Sequence, residues 1–210
     1  MEGRDTGTKG QKKAGEYLIS QYVKAGISFP EGASDYYQRI PSAILNSRRK
    51  KNLPDSENIW AYIKGSEKPE EVLVISAHYD HMGTKDGEVY NGADDDGSGT
   101  SALLELAQAF QIAKKEGHGP KRSILFLHVT GEEHGLHGSR FYSENPLFPL
   151  ENTVADVNID MIGRRDEIHP NTNNYVYVIG ANRLSSELDF VSSIMNQKYV
   201  GLDLDYRFND

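Results

Sequence analysis

The sequence predicts an α/β fold, a three-layer sandwich in which a mixed, largely parallel sheet lies between helices. The runs EVLVISA (71–77) and SILFLHV (123–129) are continuous, apolar and rich in β-branched residues, as expected of strands covered on both faces. Between them, residues 98–115 set Leu103, Leu104, Ala107 and Phe110 along one helical stripe. Strand, helix and strand make a βαβ unit, whose crossover is almost always right-handed.

The other elements follow in chain order. GQKKAGEYLISQYVKA (10–25) spaces Ala14, Tyr17, Leu18 and Tyr22 about three or four residues apart, which predicts an amphipathic helix ending near Gly26. YYQRIPSAIL (36–45) reads as a strand, and Pro41 places it at a sheet edge because proline cannot donate to a ladder. NIWAYIKG (58–65) alternates Ile59, Ala61 and Ile63 against Trp60 and Tyr62, the period of a strand. The helix over 98–115 ends before Gly117 and Gly119. TVADVNID (153–160), YVYVIG (175–180) and a helix over 185–198 then extend the alternation. No internal repeat, low-complexity tract or domain boundary is visible, so residues 1–210 read as one domain.

Composition narrows the function. Lys and Arg number 23 against 31 Asp and Glu, a formal charge of -8, which argues against nucleic acid and anionic membrane as partners. The basic run Arg48-Arg49-Lys50-Lys51 sits beside Asn52, Pro54 and Asp55 and reads as a solvated loop. The chain has no cysteine, which excludes disulfides, thiolate metal sites and a cysteine nucleophile. Any metal must therefore be held by His, Asp and Glu. No apolar run reaches the length of a membrane span, and the polar start MEGRDTGTKG is unlike a secretory signal.

In open α/β sheets, ligands bind beyond the carboxyl ends of the strands. Here the strand over 71–77 runs into His78-Tyr79-Asp80-His81, and the strand over 123–129 runs into Thr130-Gly131-Glu132-Glu133-His134. The strand over 153–160 ends on Asp160, and Asp94, Asp95 and Asp96 precede the central helix. Adjacent carboxylates repel and need a compensating charge. His and carboxylate donors without thiolate suit zinc or manganese, and several carboxylates around a shared aspartate suit two ions about 3.5 to 4 Å apart. The compensation is then metal rather than lysine.

Other readings explain less. A calcium loop from Asp94 to Glu105 needs a helix before it, where a strand and a glycine-bounded turn stand instead. Helix capping suits Asp96 or Ser98 but leaves His78, Glu132, Glu133 and Asp160 unexplained. His128, inside an apolar strand, reads as a satisfied buried imidazole; His134 and His137 read as helix-start and surface histidines; His81 could line the pocket.

The strings SAHYDHMG, NGADDDGSGTSALLELAQAF, TGEEHGLHGS and NIDMIGR stand in order between about Ser76 and Arg164. They resemble the two-zinc aminopeptidase family that includes bacterial leucyl aminopeptidase, aminopeptidase Y and, more distantly, glutamate carboxypeptidase. EGRDTGTKGQKKAGEYL is similar to the family's opening helix. The resemblance implies a zinc exopeptidase-like fold and a single catalytic domain. It implies that His78 binds one Zn2+, that Asp95 bridges two, that Asp160 completes the His78 site and that Glu133 binds the other ion. The resemblance further implies that Asp80 stands behind His78 and orients its imidazole, that the bond between Asp95 and Asp96 is cis and aims the bridging carboxylate, and that Asp96 likewise stands behind the ligands. Glu132 is implied as the general base, taking a proton from a metal-bound water and passing it to the leaving amine.

The reaction implied is removal of N-terminal amino acids from peptides with a free N-terminus, by a metal-bound hydroxide, in an extracellular or periplasmic setting. Family members add a last histidine ligand in a Ser-Asp-His type motif near the C-terminus, with a final strand and helix. The sequence as read stops at LDYRFND with no histidine after His169, so the domain is expected to lack that portion and the second site to keep only Asp95 and Glu133. Two alternatives stay open: a metal-binding module on the same fold that does not turn over, and a single-zinc acyltransferase like the glutaminyl cyclases.

Overall fold

Thr8 and Gly26 bracket the first helix of the chain, α1 (Lys9–Ala25): the Thr8 side chain accepts from the Gln11 N–H, and Gly26 at φ 75 returns its N–H to the carbonyls of Tyr22 and Val23. A computed structural model describes residues 1–47 and 52–209. The run Arg48-Arg49-Lys50-Lys51 lies outside the described residues. The chain forms two compact units, Met1–Met161 and Ile162–Asp210, a division for which the sequence carried no mark.

In the first unit, α1 is followed by β1 (Tyr37–Ile40), α2 (Ser42–Leu45), β2 (Ser56–Ile63) and β3 (Lys68–His78). Next come a small hairpin of β4 (Thr84–Lys85) and β5 (Glu88–Val89), then α3 (Gly97–Lys115), β6 (Arg122–Val129), α4 (His137–Glu144) and β7 (Thr153–Asn158). The strand expected over 36–45 is cut at Ile40. Pro41 has no N–H to continue the pairing with β2, and its carbonyl instead accepts from Ile44 and Leu45, which starts α2. Leu45 then joins Ile40 and Leu53 in a small core.

The main sheet is five-stranded in the order β1-β2-β6-β3-β7. β6, β3 and β7 run parallel, whereas β1 and β2 are antiparallel to their neighbours, so the sheet is mixed as expected. Successive side chains leave a strand on opposite faces. Ala61, Ile63, Ile75, Ala77, Ile124 and Phe126 pack on Tyr22 of α1 and on Leu103 and Ala107 of α3. Trp60, Val72, Val74, Leu125, Leu127 and Val129 pack on the other face with Tyr142 of α4. Each large side chain so buried contributes about 1.5–3 kcal/mol. The parallel register pairs His78 with Val129 and Ser76 with Asn158, which brings the carboxyl ends of β3, β6 and β7 side by side.

In the second unit, β8 (Tyr175–Tyr177) pairs in parallel with β9 (Asp203–Asp205), and α5 (Ala181–Leu184) and α6 (Ser186–Tyr199) lie between them in sequence. The expected strand over 175–180 stops early because Gly180 turns at φ 85 into α5. Its sheet is this two-stranded one, rather than a continuation of the alternation as the sequence suggested. Ser185 caps α6 by accepting from the Leu188 N–H at 3.2 Å. Among the described residues, no helix is long and apolar enough to cross a membrane.

Candidate metal centre

His78 is the last residue of β3 and is buried. Its Nδ1 lies 3.1 Å from the backbone oxygen of Asp80. A carbonyl can only accept, so Nδ1 carries a proton and Nε2 is the ring nitrogen left to face the carboxylates. Nε2 points at two carboxylates, 2.9 Å from Asp95 Oδ1 and 3.9 Å from Asp160 Oδ1. The Asp80 carboxylate stands 3.7 Å from Nδ1 and is engaged elsewhere, accepting from the Thr6 hydroxyl at 2.9 Å and from the Glu132 N–H at 3.2 Å. The imidazole is thus held by the main chain of Asp80, and the side chain of Asp80 holds the loop that carries Glu132.

Asp96 caps α3, its Oδ1 accepting from the Gly99 N–H at 2.9 Å and from the Met161 N–H at 3.3 Å. The peptide bond between Asp95 and Asp96 is cis, as the resemblance implied. Glycine is required at position 99, because a Cβ there would fall on the Ile159 carbonyl oxygen and within 2.6 Å of the Asp96 carboxylate. The start of α3 can therefore press against the chain just beyond β7, which puts the aspartates beside Asp160.

Two sets of donor atoms gather here, each with its atoms within 4.8 Å of one another: His78, Asp96 and Asp160 in one, His81, Asp95 and Glu133 in the other. Asp95 stands between them, its Oδ1 2.9 Å from His78 Nε2 and 3.9 Å from His81 Nδ1. The structure thus brings together His78, Asp95, Asp160 and Glu133, and adds Asp96 and His81 to the donor atoms. His81 faces Glu133 across 2.6 Å. Its signal in the sequence was its place three residues past His78, in the loop that leaves the strand.

Arg4 was not anticipated at all. Its guanidinium donates to the carbonyls of Tyr79 at 2.9 Å, Asn91 at 2.6 Å and Gly92 at 3.0 Å, tying the loop that follows His78 to the one that leads to the aspartates. The other histidines lie elsewhere. His128 is buried with Nε2 2.7 Å from the Tyr22 hydroxyl, and burial pushes its pKa down to about 3. His134 meets Asp5 at 2.8 Å. His137, expected at the surface, is buried at the start of α4, because Gly138 packs its backbone on Thr130 and draws the helix start inward.

The charges of the cluster are out of balance. Burial disfavours the His78 cation, but the carboxylates of Asp80, Asp96 and Asp160 outweigh it and push the imidazole up to about 9. Burial raises Asp96 to about 7, against the pull of the Gly99 N–H and His78. Burial likewise raises Glu132 and Asp160, and neighbouring carboxylates add to it. Such a set attracts a cation. Asp96 Oδ2, Glu133 Oε1 and His81 Nδ1 are buried and make no hydrogen bond, and a donor set of imidazole and carboxylate matches zinc. The residues present therefore fit the metal that the resemblance implied.

His78, Glu132 and Asp160 open onto one cavity of about 300 Å³, whose walls include Leu127, Val129, Leu136 and Tyr142. A larger cavity of about 520 Å³ is lined mainly by α1 and α3 and holds none of the clustered donors, so volume alone does not mark the site.

Residues 58–197 match the family described as Peptidase family M28. Over 125 residues the chain is 36% identical to a probable zinc metalloprotease of Pyricularia oryzae, covering 55% of this chain and 23% of that protein. Over 148 residues it is 31% identical to the aminopeptidase NAALADL1 of Mus musculus, covering 70% of this chain and 18% of that protein. Among solved structures, BSAP, a zinc aminopeptidase from Bacillus subtilis, aligns with a TM-score of 0.58 at 26% identity, over 73% of this chain and 35% of that one. The chain thus spans less than a quarter of the length of these two curated relatives.

Proposed function

This chain belongs to peptidase family M28, and we propose that its metal cluster hydrolyses the first peptide bond of peptides with a free N-terminus. The observation that carries this reading is the convergence of Asp95 Oδ1 and Asp160 Oδ1 on His78 Nε2, at 2.9 Å and 3.9 Å, on the cavity that Glu132 shares. The aminopeptidases among the relatives and solved structures support it.

His78, Asp95 and Asp160 would hold one zinc ion, and Asp95 would reach toward a second ion held by Glu133. When bound, zinc polarises the scissile carbonyl and makes the attacking water acidic enough to ionise near neutral pH. Glu132 would accept a proton from the attacking water and return it to the leaving amine. Its carboxyl is raised by burial, which brings its affinity for a proton closer to what this exchange needs. The bonds from Thr6 and from the Glu132 N–H to Asp80 hold Glu132 beside the cluster rather than within it. The apolar walls of the cavity accept an uncharged N-terminal side chain and exclude water around it.

The zinc-loaded protein should release nitroaniline from leucine p-nitroanilide and leave the N-acetylated compound intact. Equal turnover of both would rule out recognition of the free amine. Cyclisation of an N-terminal glutamine without either hydrolysis would move the assignment to a single-zinc acyltransferase.

A further inference from the structure

We propose that His81 is a direct ligand of a second metal position, formed with Asp95 and Glu133 beside the His78 position. The inference rests on the reading of the cluster as a metal centre and names a ligand that neither the motif pattern nor the resemblance supplied.

His81 Nδ1 lies 2.6 Å from Glu133 Oε1 and 3.9 Å from Asp95 Oδ1. The two side chains are only 7% and 18% exposed. Despite the short separation, neither His81 Nδ1 nor Glu133 Oε1 makes a hydrogen bond, so two buried polar atoms converge without satisfying each other. One cation bound by both satisfies them once the pair opens from 2.6 Å to the roughly 3.4 Å that separates two ligands at about 2.1 Å on a tetrahedral ion. The donor atoms lie within 4.8 Å of one another, and side-chain shifts of about 1 Å bring them to the roughly 3.4 Å that separates ligands held at about 2.0–2.2 Å on a tetrahedral zinc. With His81, the second position has one imidazole and two carboxylates, the same donor set as the first.

The imidazole is held in place before any ion arrives. The His81 N–H donates to the Arg4 carbonyl at 3.1 Å. The ring packs directly on Gly92, which sits at φ 57, and a Cβ there would come within 2.6 Å of the His81 Cγ. A glycine in the left-handed region lets the chain pass beneath the ring and leaves Nδ1 turned to the carboxylates.

The test uses the full chain, stripped with a chelator and titrated with Co2+, with bound metal measured after dialysis and by visible absorption. Two ions per chain are expected. In His81→Ala one ion should remain with unchanged affinity, and the other should bind more than about 10-fold more weakly. His78→Ala should show the reverse pattern. Two ions bound to His81→Ala as tightly as to the wild type would overturn the assignment. One ion in the wild type would also overturn it while leaving the peptidase reading standing, and none would overturn both. Should His81→Ala fail to fold, proton NMR of the Co2+-loaded wild type decides: two far-shifted exchangeable imidazole signals are expected, and a single one counts against His81.

Discussion

His78 is anchored to Asp80 through the main chain: Nδ1 lies 3.1 Å from the Asp80 carbonyl oxygen, while the Asp80 carboxylate, at 3.7 Å, is occupied by Thr6 and the Glu132 N–H. One residue thereby does two jobs, holding the Nδ1 proton of His78 with its backbone and the main chain of Glu132 with its side chain. Asp80→Asn should lower zinc affinity at the His78 position by no more than about 10-fold. Turnover should fall further, because an amide cannot accept from both partners. Zinc titration and kcat measured on the same preparation check this; equal losses in both would return the orienting role to the carboxylate.

Glu132→Gln removes a proton acceptor and leaves every clustered donor in place. Zinc content should stay the same while kcat falls by about 100-fold or more. A variant with near wild-type turnover would exclude Glu132 as the base.

Gly99→Ala should be destabilising although position 99 lies in a helix, where alanine is usually favoured. The added Cβ would collide with the Ile159 carbonyl and the Asp96 carboxylate, so either the cap or the chain beyond β7 must shift. A loss of about 1–3 kcal/mol in urea unfolding is expected, accompanied by weaker zinc binding. Unchanged unfolding would mean that α3 can start elsewhere.

His128 should make the protein sensitive to mild acid. In the folded chain burial holds its pKa down to about 3, whereas the unfolded residue titrates at the ordinary 6.5. Between those values the unfolded state binds the extra proton. The stability this group contributes is therefore complete above 6.5 and is lost as pH falls toward 3, at up to about 1.4 kcal/mol per pH unit. Urea midpoints at pH 7 and pH 5 should differ more in the wild type than in His128→Gln. An equal difference in the two proteins would assign the acid sensitivity to other groups.

The sequence by itself determined the elements whose signal is local. Residues 71–77 and 123–129 form strands because continuous β-branched runs suit a position covered on both faces, and 97–115 forms a helix because its apolar residues share one stripe. The same logic marked the polar residues massed just past those strands and the aspartates ahead of the helix, and the family resemblance singled out His78, Asp95, Glu133 and Asp160 among them. What only the tertiary structure decided depends on segments distant in the chain meeting in space. The Arg4 fork reaches residues 75 to 88 positions away, and no periodicity announces it. The partner of β8 is an acidic segment, Asp203–Asp205, with little strand propensity of its own. His81 turns toward Glu133 because Gly92 leaves room beneath its ring, a relation between two loops that neither loop encodes alone.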